Sequence, residues 1–145
     1  MNPLSHPPEE VVLASEMEGH ITLQNRPAAG AKVVRKLSWN EGEKKIDSTS
    51  VDSEGKFLLP AKKDVVEIGK FTQFVVSQEI SVVYDGKETD IWIMGKRSKT
   101  AYGELDGRPE NFRCELSDPD KPMRLDSGLL LTKCKWDAIT KMQGD

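Results

Sequence analysis

Alternation of apolar and polar residues is the dominant pattern along this chain, and it predicts short strands separated by turns. The clearest case is Gln78–Tyr84, followed by Asp85-Gly86 and then by Lys87–Met94. Asp-Gly between two alternating segments favours a two-residue hairpin turn, because both residues tolerate a positive φ. The sequence therefore predicts a β-hairpin over this stretch.

The register of the hairpin follows from pairing Tyr84 with Lys87. The pairs on one face are then mostly apolar, and they include Val82 opposite Thr89 and Ile80 opposite Ile91. The other face is mostly polar, with the pairs Val83–Glu88, Ser81–Asp90 and Glu79–Trp92. This division is typical of a sheet that packs on one side and meets water on the other.

Further strands are predicted along most of the remaining chain. The second of them carries an apolar stripe that only Arg35 interrupts. A helical turn is expected within residues 61–71, and the tail from Asp137 is either a short helix or frayed. Many short strands with little helix indicate a sandwich or barrel. The predicted strands are Met17–Asn25, Ala31–Trp39, Lys45–Val51, Lys56–Leu59, Asn111–Leu116 and Gly128–Trp136.

Length and composition bound the architecture and the partners. A chain of 145 residues is long enough for one domain with a core between two sheets. We expect residues 1–14 to form a flexible arm, residues 15–137 a single β-sandwich domain, and residues 138–145 a C-terminal tail. The net charge is -3 and the charges are well mixed, so the sequence shows no basic cluster of the kind that binds nucleic acid. No apolar stretch approaches the length that spans a bilayer, so no membrane insertion is expected.

The N-terminal segment has no basic start and no apolar run of the kind found in a signal peptide. Two interpretations stay open. Either the protein is cytoplasmic, or a leader preceding Asn2 has been removed and the protein is periplasmic, which is slightly favoured.

Two cysteines, Cys114 and Cys134, have 19 residues between them. A disulfide that closes such a loop contributes about 3 kcal/mol in the chain-entropy model. The alternative is a pair of buried thiols in neighbouring strands.

Motifs for catalysis are absent, so the sequence predicts a protein that is not an enzyme and uses no metal or other cofactor. There is no nucleophile elbow, zinc-protease helix motif or glycine-rich phosphate loop. The only histidines are His6 and His20, and both lie far from the cysteines. Asp47, Asp52 and Glu54 miss the spacing of a calcium loop and are better read as turn acids.

Candidate partner-binding residues come from the tryptophans and two loops. Trp39 and Trp92 pack in the core on the simpler interpretation and anchor an interface on the alternative one, since tryptophan, tyrosine and arginine dominate binding hot spots. The long connection Gly95–Glu110 and the acidic loop Asn40–Lys44 are the candidate surfaces. Their candidate residues are Glu41, Glu43, Lys96, Arg97 and Tyr102.

The stretch from Gly19 to Pro60 resembles the transthyretin-like, carboxypeptidase-regulatory type of sandwich. The family pattern is a glycine in the first strand, a turn ending Pro-x-x-Gly-Ala, a β-branched strand, and then Asp/Ser-x-x-Gly-x-Phe. The residues that carry it are Gly19, Pro27, Gly30, Ala31, Val33, Asp52, Glu54, Gly55 and Phe57. The resemblance implies an all-β, prealbumin-like Greek-key β-sandwich of about seven to eight strands.

The segment from Glu16 to Trp136 is similar to bacterial stand-alone domains of this fold that are encoded beside type VI secretion components, near VgrG spike proteins and effectors. The residues that carry this second resemblance are Trp39, Tyr84-Asp85-Gly86-Lys87-Glu88, Ile91-Trp92, Lys96, Glu104-Leu105, Cys114-Glu115-Leu116, Cys134 and Trp136. It implies a protein-binding role, and export would suit a disulfide between Cys114 and Cys134.

Function is therefore expected to be binding of a protein partner. The first hypothesis is an immunity protein that sterically neutralises a co-encoded antibacterial effector. The second is an adaptor that links an effector to the secretion spike without inhibiting it. A carbohydrate- or envelope-binding module is a third, for which three tryptophans give little support. The oligomeric state stays open.

Overall fold

The computed structural model describes residues 8–39, 42–66 and 74–140. These residues form an all-β structure that is 65% strand and contains no helix. The first eight strands are β1 (Glu9–Ala14), β2 (Met17–Leu23), β3 (Arg26–Pro27), β4 (Lys32–Trp39), β5 (Glu43–Ser50), β6 (Lys56–Leu59), β7 (Lys62–Val66) and β8 (Val76–Tyr84). The others are β9 (Lys87–Lys96), β10 (Arg108–Glu110), β11 (Arg113–Glu115), β12 (Lys121–Leu125), β13 (Gly128–Thr132), β14 (Cys134–Lys135) and β15 (Ala138–Thr140).

Two larger sheets organise the molecule. The six-stranded sheet has the order β12-β13-β9-β8-β4-β5, and all its neighbours are antiparallel. The five-stranded sheet has the order β14-β11-β2-β3, with β6 also paired to β2 and with β11 parallel to β2. Two short ladders, β1–β7 and β10–β15, complete the described strands.

The main core contains side chains from both larger sheets. Ile21 and Phe57 come from the five-stranded sheet, while Val33, Val82 and Leu130 come from the six-stranded sheet. All five are buried, which is the burial pattern of a two-layer β structure whose layers share one core.

A second core lies beneath the β1–β7 ladder and corrects two predictions. Val11 and Leu13 of β1 are fully buried with Leu37, Trp39 and other apolar residues. The expected loose arm is therefore wrong over Glu9–Ala14, where apolar burial offsets the entropy of ordering. The expected helical turn is wrong over Lys62–Val66, which is strand β7, and residues 67–71 of that prediction lie outside the described residues.

The predicted hairpin is confirmed, with one local change of register. Strands β8 and β9 pair as predicted from Tyr84–Lys87 to Ser81–Asp90. A bulge then shifts the ladder, so that Ile80 lies opposite Trp92 instead of Ile91. Ile91 and Trp92 are consecutive and both buried, which simple alternation does not allow and an extra residue in one strand does.

Other boundaries differ from the predictions near the C-terminus. The predicted last strand is divided into β13 and β14, and β12 lies where no strand is predicted. The tail is strand over Ala138–Thr140, where it pairs with β10, so the prediction of a helix or frayed end is wrong there. No helix among the described residues is long and apolar enough to cross a membrane.

Gly19 permits a close approach between β2 and the residue that precedes β11. A Cβ at this position would lie 2.4 Å from the carbonyl oxygen of Phe112, just before β11. The N–H of the next residue, His20, donates to that same oxygen at 3.1 Å. Glycine is therefore required sterically where β11 joins β2.

Candidate binding cleft

The two loops predicted to bind a partner leave the same end of the six-stranded sheet. Strand β4 ends at Trp39 and β9 ends at Lys96. The register places Ser38 beside Ser77 and Ser77 beside Gly95, so these strand ends are level across β8. We call this the loop end of the molecule.

Buried Glu104 fastens the connection after β9 to the chain between β1 and β2. Its carboxylate accepts hydrogen bonds from the Ser15 N–H at 2.9 Å, the Ser15 hydroxyl at 2.7 Å and the Gln78 side-chain amide at 2.9 Å. The N–H of Tyr102 in turn donates to the Ser15 hydroxyl oxygen at 2.6 Å. The carboxylate thus accepts three hydrogen bonds from two distant segments, an arrangement that fixes the loop.

Lys96 strengthens the same attachment from inside the protein. Its side chain is fully buried, and its ammonium donates to the carbonyl oxygens of Val12, at 2.9 Å, and Ser98. Burial lowers the pKa of Lys96, while the negative charge of Glu104 opposes that shift. The Lys99 carbonyl also accepts from the Val12 N–H at 2.9 Å. Lys96 is therefore a structural residue, and its prediction as a partner contact is wrong.

Both candidate tryptophans are buried, as the simpler of the two interpretations predicts, and neither projects from the surface as an exposed anchor. Trp39 is 4% exposed in the second core. Trp92 is 1% exposed in the main core, and its indole N–H donates to the side-chain oxygen of Gln78 at 3.0 Å. The buried indole N–H has a partner inside the protein, as burial of that group requires.

A cleft with an apolar base opens beside the fastened connection. Its cavity volume is small, about 40 Å³, and the cleft opens to solvent. Its apolar lining includes Met17, Trp92, Leu105, Pro109 and Phe112, and its polar rim includes Glu16, Glu18, Tyr102 and Arg108.

The polar rim of the cleft contains one ion pair and one further carboxylate. The guanidinium of Arg108 donates to Glu18 at 2.6 Å, and both side chains are about half exposed. Glu16 is exposed on the same rim. An apolar base with a few polar groups around it is the usual composition of a binding site.

The remaining candidate residues lie in different places relative to the cleft. Tyr102 lines the cleft, and Arg97 is exposed in the same connection. Glu43 is exposed at the start of β5, whereas Glu41 lies outside the described residues. Of the candidate residues that the structure describes, Tyr102 and the buried Trp92 line the cleft.

Sequence reasoning missed the residues that form most of the cleft. Glu16 and Glu18 lie at the start of β2, while Leu105 and Arg108 lie about ninety positions later in the chain. No local pattern links these segments. Only the Pro- and Gly-containing character of the long connection pointed to this region.

Arg35 explains the charged residue within the apolar stripe of β4. It is 1% exposed, and its guanidinium forms two hydrogen bonds to Asp47, at 2.8 and 3.1 Å. It also donates to the backbone carbonyls of Ser15 and Pro60. One buried cation thus joins β5 to the connections that follow β1 and β6.

Glu115 anchors the turn between β2 and β3 at the other end of the molecule. Its carboxylate accepts from Thr22, from the N–H groups of Gln24 and Asn25, and from both the N–H and the hydroxyl of Ser117. Burial opposes ionisation, but the hydrogen bonds from Ser117, Asn25 and Gln24 outweigh it and lower the pKa of Glu115 to about 2.

The two cysteines form a disulfide, Cys114–Cys134, between β11 and β14. This outcome decides between the two alternatives that the sequence left open. The bond closes the end of the five-stranded sheet inside the main core. Within the described part of the chain, no three His, Cys, Asp or Glu side chains are grouped to hold a metal ion.

Residues 17–119 match the family described as a domain of unknown function, DUF6795. This match spans more than half of the chain. The chain belongs to the DUF6795 family. The matched part of this DUF6795 domain includes Gly19, the hairpin and most of the cleft, and it ends before β12. No curated protein and no solved structure matches the chain.

Proposed function

We propose that this DUF6795 domain is an immunity protein that binds a type VI secretion effector and blocks its active site sterically. We further propose that its sheets follow the transthyretin-like Greek-key arrangement implied by the Gly19–Phe57 pattern. Inhibition by occlusion needs tight and specific association, and it needs no chemistry from the inhibitor.

The fixed connection at the loop end carries the proposal. Glu104 holds this connection through hydrogen bonds to Ser15 and Gln78, while Tyr102 and Arg108 remain accessible at the cleft. A loop held in one conformation loses little entropy on binding, and tyrosine and arginine supply much of the energy of protein interfaces. These features favour a protein partner that inserts into the cleft.

The disulfide supports placement of the protein in the periplasm. Disulfides persist in oxidising compartments and are rare in the reducing cytosol. An immunity protein in the periplasm would act against an effector that attacks the cell envelope.

Neutralisation of a co-encoded effector tests the proposal. We expect the purified protein to abolish the toxicity or enzymatic activity of such an effector and to co-purify with it. Arg108→Glu should weaken binding by roughly tenfold or more, which is the effect of losing one interface contact worth 1.4 kcal/mol. Arg124→Glu changes an exposed arginine of β12 in the same way and serves as the matched control.

Three outcomes separate the hypotheses. Binding with neutralisation, sensitive to Arg108 and insensitive to Arg124, supports the proposal. Binding that leaves the effector fully active indicates an adaptor instead. Failure to bind any co-encoded effector contradicts both roles.

A further inference from the structure

Strand β5 forms one edge of the six-stranded sheet and is well suited to pairing with another strand. All eight of its residues pair with β4 without a register shift. No strand among the described residues pairs with its outer side. The opposite edge, β12, has five residues and contains Pro122, which cannot donate a backbone hydrogen bond. Of the two edges, β5 is the longer one, and it contains no proline.

Ile46 lies near the middle of this edge and is 66% exposed. Its register partner on β4 is Lys36, which is also exposed, so Ile46 lies on the outer face of the sheet. Lys45 and Asp47 lie on the inner face, opposite Leu37 and Arg35. An exposed β-branched residue between charged neighbours on a regular edge strand is a favourable centre for a cross-strand contact.

We propose that two copies of this protein pair through β5 in an antiparallel, two-fold symmetric arrangement centred on Ile46. A two-fold axis perpendicular to the sheet keeps the side chains of both copies on the same surface of the joined sheet. Because side chains alternate between the two surfaces along a strand, two residues that pair across the axis must have residue numbers that differ by an even number. The central registers therefore place Lys45, Ile46 or Asp47 opposite its own copy.

Charge selects among these three registers. Centring on Lys45 places two ammonium groups opposite each other, and centring on Asp47 places two carboxylates opposite each other, which destabilises the pair. Centring on Ile46 instead places Ile46 against Ile46 and Lys45 against Asp47 on both sides of the axis. Asp47 keeps 16% of its side chain exposed after pairing with Arg35, so it remains accessible to this lysine.

The expected dimer is reversible. A single strand pair buries less surface than a standard stable interface of about 1,600 Å². Lysines on an edge normally discourage pairing. In this register Lys45 has an acidic partner and Lys44 faces Ser48, so the edge is compatible with its own copy. This pairing of two copies does not depend on the identity of any effector.

Single introduced cysteines test the register directly. None of the native cysteines among the described residues is free, so an introduced thiol finds no second free thiol in its own molecule. Ile46→Cys should cross-link rapidly under mild oxidation, because facing residues on paired strands have Cβ atoms about 4.5–5.5 Å apart. Ser48→Cys is the control, since position 48 would face position 44 and lie roughly 13 Å from its own copy along the strand.

Sedimentation of the protein over a range of concentrations tests the interface without a cross-link. Ile46→Lys should raise the dimer dissociation constant by roughly tenfold or more. Leu129→Lys removes an exposed leucine, 61% accessible, from β13, which lies next to the other edge of the same sheet. This variant should leave the dimer dissociation constant unchanged. Concentration-dependent dimers that are weakened by Ile46→Lys and unchanged by Leu129→Lys support the proposal. A monomer at every concentration, equal cross-linking of both cysteine variants, or equal sensitivity to both lysine variants would overturn it.

Discussion

The carboxylate of Glu104 accepts hydrogen bonds from both the backbone N–H and the hydroxyl of Ser15, a residue 89 positions earlier in the chain. A third donor, the amide of Gln78, completes the set. All three partners are donors, so the buried site is matched to an acceptor-only group. This relationship fixes the connection that lines the cleft.

Replacement of Glu104 should loosen the loop end in a graded way. Glu104→Ala leaves three buried donors without an acceptor and should lower the free energy of unfolding by about 2–4 kcal/mol. Glu104→Gln retains an oxygen for the Ser15 N–H and Gln78 but deprives the Ser15 hydroxyl of its acceptor, so its effect should be smaller. Urea denaturation gives the order of stability, and amide hydrogen exchange should show faster exchange in residues 97–107. Equal stability of the two variants and the wild type would contradict the role of Glu104.

Glu115 should make stability depend on acid pH in a defined direction. Its pKa is about 2 in the folded protein and 4.5 as the ordinary value. The unfolded chain therefore takes up this proton first as the pH falls, and the stabilisation present above about pH 4.5 is lost progressively toward pH 2.

Comparison of Glu115→Gln with the wild type isolates this effect. The variant should be about 1–3 kcal/mol less stable at neutral pH, because it loses charge-assisted hydrogen bonds. The difference should shrink between pH 4.5 and pH 2 in denaturant titrations. Glu88→Gln, on the exposed hairpin, is the control. A stability gap that does not change with pH would show that the charge of Glu115 is irrelevant.

Removal of the disulfide should lower stability by about 3 kcal/mol, since it opens a loop of about twenty residues in the unfolded chain. The double variant Cys114→Ala/Cys134→Ala avoids burying new polar atoms and should match the reduced wild type in thermal unfolding. Alkylation followed by mass measurement provides the chemical check. The native protein should take up alkylating agent only after reduction, and labelling of both thiols without reductant would refute the bond.

A methyl group at position 19 should disrupt the contact between β2 and the chain before β11. Gly19→Ala places a Cβ 2.4 Å from the carbonyl oxygen of Phe112, which must move. We expect a loss of about 1–3 kcal/mol in unfolding free energy. Gly95→Ala is the control, because its nearest neighbour is a Val75 methyl group at 3.3 Å. Similar losses in both variants would show that strand propensity, and not the close approach, sets the cost.

Local signals were sufficient to predict the all-β class and the β8–β9 hairpin. Asp85-Gly86 defines its turn, and alternation defines its register as far as Ser81–Asp90. The bulge at Ile91 was not predictable, because consecutive apolar residues are compatible with either register of the strand pair. Boundaries near the C-terminus failed for a similar reason, since short edge strands carry little pattern.

Non-local structure accounts for the other errors. Val11–Ala14 is an apolar run whose partner, β7, begins about fifty residues later, so its burial has no local cue. The sequence predicts Lys96 at the surface because buried ammonium groups are rare. Its carbonyl partner on Val12 lies 84 positions away and exists only in the folded chain. The cleft was missed because its two halves meet through the same long-range contacts.

The parallel pairing of β2 with β11 also determines when this protein can fold. Arg113 lies beside His20, so the inner strand of the five-stranded sheet lacks one neighbour until a segment about ninety residues later has been synthesised. Pairing over such a sequence distance makes folding slow, since loop closure precedes any favourable contact. We therefore expect the five-stranded sheet of the nascent chain to remain unformed until β11 has emerged from the ribosome.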